Sequence, residues 1–127
     1  MPEPSSFSPR ARLRSFRYAL RGIGAVLRSQ HNAWVHAAAS ALAVAAGWAV
    51  GLDRLEWCAL VLAMVAVWTA EALNTAFEAL CDVASPALHP LVERAKDIAA
   101  GAVLMAAGGA VIVGLLVFLP HLAVLAR

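Results

Sequence analysis

The segment IAAGAVLMAAGGAVIVGLLVFL, residues 98–119, runs for 22 positions without a charged side chain. As a helix it would be about 33 Å long, slightly more than the roughly 30 Å hydrocarbon core of a bilayer. Such an unbroken apolar run reads as a membrane-spanning helix. Pro120 directly follows and is expected to close the helix. Composition agrees: of 127 residues, 62% are apolar and 14% charged, against roughly 25% charged in a soluble domain. A soluble fold of this length has too little interior to hide that much apolar surface.

Working outward, the charges gather between apolar stretches. Residues 33–52 form a first span in which His36 is the only ionisable side chain, and residues 57–80 form a second. Asp53, Arg54 and Glu56 make a short polar turn between them, and a polar loop over residues 81–97 leads into the third span. Ala39, Ala43, Gly47 and Gly51 on the first span, and Ala102, Ala106, Ala110 and Gly114 on the third, place a small residue every four positions. Such ladders let a neighbouring helix approach closely. The fold class is therefore an all-α membrane protein.

Residues 1–9 hold three prolines and three serines and read as a disordered lead to a single domain over 10–127. Arginines at 10, 12, 14, 17, 21 and 28 follow, with Leu13, Phe16, Leu20, Ile23 and Leu27 on one helical face. Residues 10–30 thus read as a basic amphipathic helix lying on an anionic leaflet, or as a surface helix packed on its own protein. That basic segment is too long for a secretory signal. Cys58 and Cys81 lack metal-ligand spacing and read as small packed thiols. With the N-terminus in the cytoplasm, eight basic residues face that side, and only Arg54 and Arg127 face the other. The bias predicts a multi-pass protein with a cytoplasmic N-terminus and the 81–97 segment on the cytoplasmic side.

Glu71, Asn74 and Glu78 interrupt the second span, and Asp82 follows just past it, at spacings of three, four and four. They form one helical stripe about 16 Å long. A charged side chain at membrane depth costs about 2.5–3.5 kcal/mol on insertion scales, so these groups must face protein or water. Glu93, Arg94, Lys96 and Asp97 cluster before the third span, and Lys96 is the only lysine in the chain. Carboxylates beside a compact ammonium suit metal-dependent phosphoryl transfer, yet no G-x-x-x-x-G-K-[ST] loop occurs. An oligomeric ion or proton transporter lined by Glu71 and Glu78, or a scaffold fixed by the stripe, would show the same spacing.

The run EALNTAFEALCD, residues 71–82, followed by RAKD, residues 94–97, resembles the E-x-x-N-[ST]-A-x-E-x-x-x-D…AKD signature of the prokaryotic diacylglycerol kinase family. The resemblance extends over residues 16–119. It implies a bacterial cytoplasmic-membrane lipid kinase built from a surface helix and three transmembrane helices. It further implies a homotrimer whose active sites are shared between subunits, with no nucleic-acid partner. By resemblance, Glu71 is the catalytic base and Asn74 positions the reacting groups. Glu78 binds the Mg2+ that accompanies the co-substrate ATP. Asp82, Lys96 and Asp97 belong to the nucleotide site, which the segment Ala87, Leu88 and His89 covers and Tyr18 contacts. Where the family usually has a second metal-binding glutamate, this chain has Gln30, whose carbonyl brings no negative charge. The implied substrate is diacylglycerol or undecaprenol. Asn32 with His36, Glu56-Trp57, His89-Pro90 and residues 99–103 lean to the undecaprenol branch.

Overall fold

The computed structural model of the chain describes residues 8–29, 31–85, 87 and 89–125. They form four helices: α1 (Pro9–Ser29), α2 (His31–Val50), α3 (Arg54–Ala84) and α4 (Pro90–Leu125). The last three are long and apolar enough to cross a membrane. α3 and α4 pack against each other as an antiparallel hairpin, and α2 lies against them more loosely. The exposed area is 9948 Å², against roughly 6,500 Å² for a soluble monomer of this mass. The excess is apolar, from Leu42 and Trp48 on α2 to Leu104 and Leu116 on α4. Lipid tails or other copies of the chain can cover such surface at no cost; water cannot.

The turn between α2 and α3 is tightly built. Gly51 adopts φ +72°, the left-handed conformation that ends a helix, and the N–H groups of Gly51 and Leu52 both donate to the Gly47 carbonyl at 3.1 Å. Asp53 then caps α3: its Oδ1 accepts from the N–H groups of Leu55 (2.7 Å) and Glu56 (2.9 Å). The Glu56 carboxylate accepts from the Asp53 N–H at 2.8 Å, which closes a capping box. The other Glu56 oxygen lies 2.9 Å from His121 Nε2 and ties the start of α3 to the end of α4. Above this turn sits the small core of Leu52, Leu60 and Val117, flanked by Trp57, Met64 and Phe118.

Several expectations are corrected. Gly51 ends a helix and is no rung of a packing ladder. Gly47, by contrast, does let a neighbouring helix approach: it is buried against the Trp57 indole of α3. A Cβ there would lie 2.8 Å from Trp57 Cη2 and 2.9 Å from Leu52 Cδ1. Gly47→Val is therefore expected to lower stability by about 1–3 kcal/mol, read as an earlier thermal transition in detergent. On α4 a Cβ at Gly114 would meet nothing within 4 Å. A cavity of about 360 Å³, lined by Ala39, Ala43, Ala110 and Gly114, separates α2 from α4 there.

The polar 81–97 loop is mostly helix. α3 continues to Ala84 and α4 starts at Pro90, so the connection is short. Proline at the first helical position needs no N–H partner, and His89 caps the helix, its ring Nδ1 accepting from Leu91 N–H at 3.2 Å. Pro120 does not close α4, which continues to Leu125. Proline removes one N–H donor, and membrane helices tolerate this when neighbouring groups compensate. Pro9 is already helical, and residues 1–7 of the expected lead lie outside the described residues. Cys58 and Cys81 are free thiols.

Along α1, Leu13, Phe16, Leu20 and Ile23 are exposed, and Val26 is buried. The described residues leave most of the apolar face of α1 uncovered.

Candidate active site

The stripe on α3 descends from burial to exposure along its length. Glu71 is 1% exposed and Asn74 6%; Glu78 is half-buried and Asp82 exposed. α3 has 31 residues, about ten more than a bilayer crossing needs. Its polar end, together with the charged start of α4, therefore extends past the apolar runs.

Glu71, Asn74 and Glu78 line a cavity of about 300 Å³, closed on one side by Asn32 and His36 of α2 and on the other by Ala100, Val103 and Leu104 of α4. Among the described residues, neither carboxylate oxygen of Glu71 has a hydrogen-bond partner, nor does the Asn74 side-chain carbonyl. The Asn74 amide donates to Glu78 Oε1 at 3.2 Å. Thr75 Oγ1 donates to the Glu71 backbone carbonyl at 2.9 Å, so that bond leaves the Glu71 carboxylate free. Buried polar groups are ordinarily satisfied. Two orphaned acceptors facing one cavity mark a place where a donor from outside the chain fits, and a hydroxyl is the simplest such donor.

A second cavity, of about 480 Å³, lies at the α3–α4 tip and brings together Asp82, Ala87, His89, Lys96 and Asp97. Lys96 Nζ donates to Asp82 Oδ1 across the hairpin. Ser85 Oγ donates to the Ala87 carbonyl at 2.8 Å and shapes the connection. Five residues expected to handle nucleotide thus share one mouth, within reach of a cation. Tyr18 does not join them: it is exposed on α1, with the Arg21 guanidinium 5.8 Å from its ring centroid. Gln30 and Leu88 lie outside the described residues.

Among the described residues no three His, Cys, Asp or Glu side chains converge as a closed metal cage.

The arrangement contains one group that sequence reasoning did not count in the site. His36 Nε2 is 3.7 Å from Glu71 Oε2. As the only ionisable residue in its span, it carried a signal, but the helix it would face was not legible.

Three membrane-length helices define a membrane protein, with an orphaned buried acid on one cavity and a charged tip at another. The sequence pattern of the family described as prokaryotic diacylglycerol kinase matches residues 17–118. The chain belongs to that family. It is 41% identical over 109 residues to an undecaprenol kinase of Bacillus subtilis, covering 86% of this chain and 89% of that protein. It is 39% identical over 109 residues to a diacylglycerol kinase of Synechocystis, covering 85% of this chain and 62% of that protein. The family and both relatives are lipid kinases, and the chain is an enzyme of that class.

Proposed function

We propose that the enzyme transfers the terminal phosphoryl group of ATP, with Mg2+, to the hydroxyl of a membrane lipid alcohol at the cytoplasmic face. Undecaprenol is the favoured substrate. The observation that carries this is the Glu71 carboxylate, buried without a hydrogen-bond partner on a cavity it shares with Asn74 and Glu78. A lipid hydroxyl entering that cavity gives Glu71 the donor it lacks, and Glu71 accepts the proton as the oxygen attacks phosphorus. Asn74 holds Glu78 and keeps its free carbonyl on the cavity, where it orients the hydroxyl. Bound at Glu78, Mg2+ supplies neutralisation of the phosphate oxygens. Lys96 provides a second positive charge for the phosphates, and the hairpin tip with Ala87, His89 and Asp97 forms the nucleotide mouth.

Undecaprenol is preferred because the relative bearing that name is matched over 89% of its length, and the diacylglycerol kinase over 62%. The exposed apolar stripe of α1, flanked by arginines, supports a helix lying on an anionic membrane surface. The basic residues of α1, Arg94 and Lys96 support a cytoplasmic orientation for the end that carries the site. A homotrimer would cover the large apolar surface and fill the gap between α2 and α4.

Purified enzyme in mixed micelles with ATP and Mg2+ should phosphorylate undecaprenol faster than diacylglycerol, measured side by side. Equal or reversed rates would remove the substrate assignment. Gln30→Glu is expected to lower the Mg2+ concentration giving half-maximal rate, since a carboxylate adds a charge that the amide lacks. An unchanged Mg2+ dependence would show that position 30 does not meet the ion.

A further inference from the structure

α2 and α3 are interlocked around His36 by contacts that the base alone does not require. The Trp68 indole N–H, one turn before Glu71, donates to Ser40 Oγ at 3.1 Å. Ser40 stands one turn after His36 on α2. Between them the Trp68 ring meets the imidazole edge-on, 6.3 Å between centroids and 68° between planes. These contacts hold the imidazole with Nε2 towards Glu71 Oε2, at 3.7 Å. That separation is longer than a hydrogen bond and within ion-pair distance. The two groups differ in access: the Glu71 side chain is 1% exposed and that of His36 15%.

A base that sits almost fully buried has a difficulty after each turnover. It holds a proton on a side chain only 1% exposed, so the proton leaves more readily through a neighbour with better access to solvent. Imidazole is the side chain suited to pass protons near neutral pH. The cavity offers few other routes. From α4 it is faced by the apolar Ala100, Val103, Leu104 and Ala107, and the other titratable side chain lining it is Glu78, two turns further along α3.

We propose that His36 is the proton relay of this kinase, the residue that empties Glu71 after each phosphoryl transfer. It acts through the base and is a positioning residue. The inference rests on Glu71 being the general base. In the step, the lipid oxygen forms its bond to the terminal phosphorus of ATP while the bond from that phosphorus to the bridging oxygen breaks, its electron pair leaving with ADP. The hydroxyl proton passes to the Glu71 carboxylate and then to Nε2 of neutral His36. The imidazolium releases it to water at the wetter side of the cavity, so one proton leaves per ATP used and both side chains return to their starting forms.

The test uses the full chain in mixed micelles with ATP, Mg2+ and, in separate arms, undecaprenol or dioleoylglycerol. His36→Ala is expected to lower kcat about a hundredfold with little change in KM for ATP, because the nucleotide mouth is untouched. Added imidazole should restore a large part of the lost kcat, since the truncation leaves room for it beside Glu71. His36→Gln, close to histidine in volume, should be as slow and should not respond to imidazole. Near-normal kcat in His36→Gln overturns the proposal, whether or not His36→Ala assembles. So does a loss in His36→Ala that imidazole does not repair although size and thermal transition match the parent. Glu71→Gln separates the two ideas: if it is inactive while both His36 variants turn over normally, the relay fails and the base stands. Turnover retained in Glu71→Gln removes the base itself.

Discussion

Glu71→Gln is expected to reduce kcat about a thousandfold while leaving the protein as stable as the parent, or more so. General-base catalysis is worth about 10²–10⁴ in rate, and an amide cannot accept the proton. The same substitution costs the fold little, because the one contact the structure gives the carboxylate is His36 Nε2 at 3.7 Å. Both carboxylate oxygens lack hydrogen-bond partners, so no bond is lost, and glutamine matches glutamate in shape. A neutral amide is also cheaper than a charge to keep at membrane depth, where a charged group costs about 2.5–3.5 kcal/mol on insertion scales. Activity and stability should therefore move in opposite directions, as they do where a fold tolerates an unfavourable group for its chemistry. Steady-state rates and thermal unfolding in the same detergent check this together. A variant that keeps turnover within about tenfold of the parent would remove Glu71 as the base. One that is inactive and unfolded would make its role structural.

Lys96→Met should lower kcat/KM for ATP about a hundredfold, near the effect of removing one charged or hydrogen-bonding clamp from a developing phosphoryl charge. The competing role for Lys96 is its ion pair with Asp82, which bridges α3 and α4. That pair is exposed, with side-chain exposures of 37% and 68%, and exposed pairs contribute about 0–1 kcal/mol. The two roles predict different things for Asp82→Asn. If the ion pair alone matters, Asp82→Asn and Lys96→Met behave alike and change stability slightly. If Lys96 serves the phosphates, Lys96→Met loses far more in KM for ATP than in unfolding temperature, and Lys96→Arg recovers part of it by keeping the charge. Equal, small effects in all three variants would take Lys96 out of the nucleotide site.

The polar stripe was legible in the sequence because its signal is one-dimensional. Glu71, Asn74 and Glu78 interrupt an apolar run at helical spacing, and helix periodicity alone puts them on one face. The clustering of Asp82, Ala87, His89, Lys96 and Asp97 was expected from family resemblance and appears in the structure as a shared cavity. Polarity misled at the hairpin tip. Residues 90–97 look like a loop because they are charged, yet proline at the first position of α4 and Glu93 in its first turn are helix-start signals. Pro120 misled in the opposite sense, since a helix breaker in water can be carried within a membrane-length helix.

The first feature met, the charge-free run at 98–119, determined the class of this protein by itself. Length and hydropathy suffice to predict a span, because the bilayer imposes one thickness and leaves no water for the backbone. What the sequence could not decide is which side chains of different helices meet. The pairing of His36 with Glu71, the Trp68–Ser40 bond beside it and the reach of His121 to Glu56 all depend on the rotation and axial register of one helix against another. Those are set by side-chain interdigitation across the whole contact, such as the Trp57 indole seated on Gly47. The base was therefore visible in the chain, and its partner only in the fold.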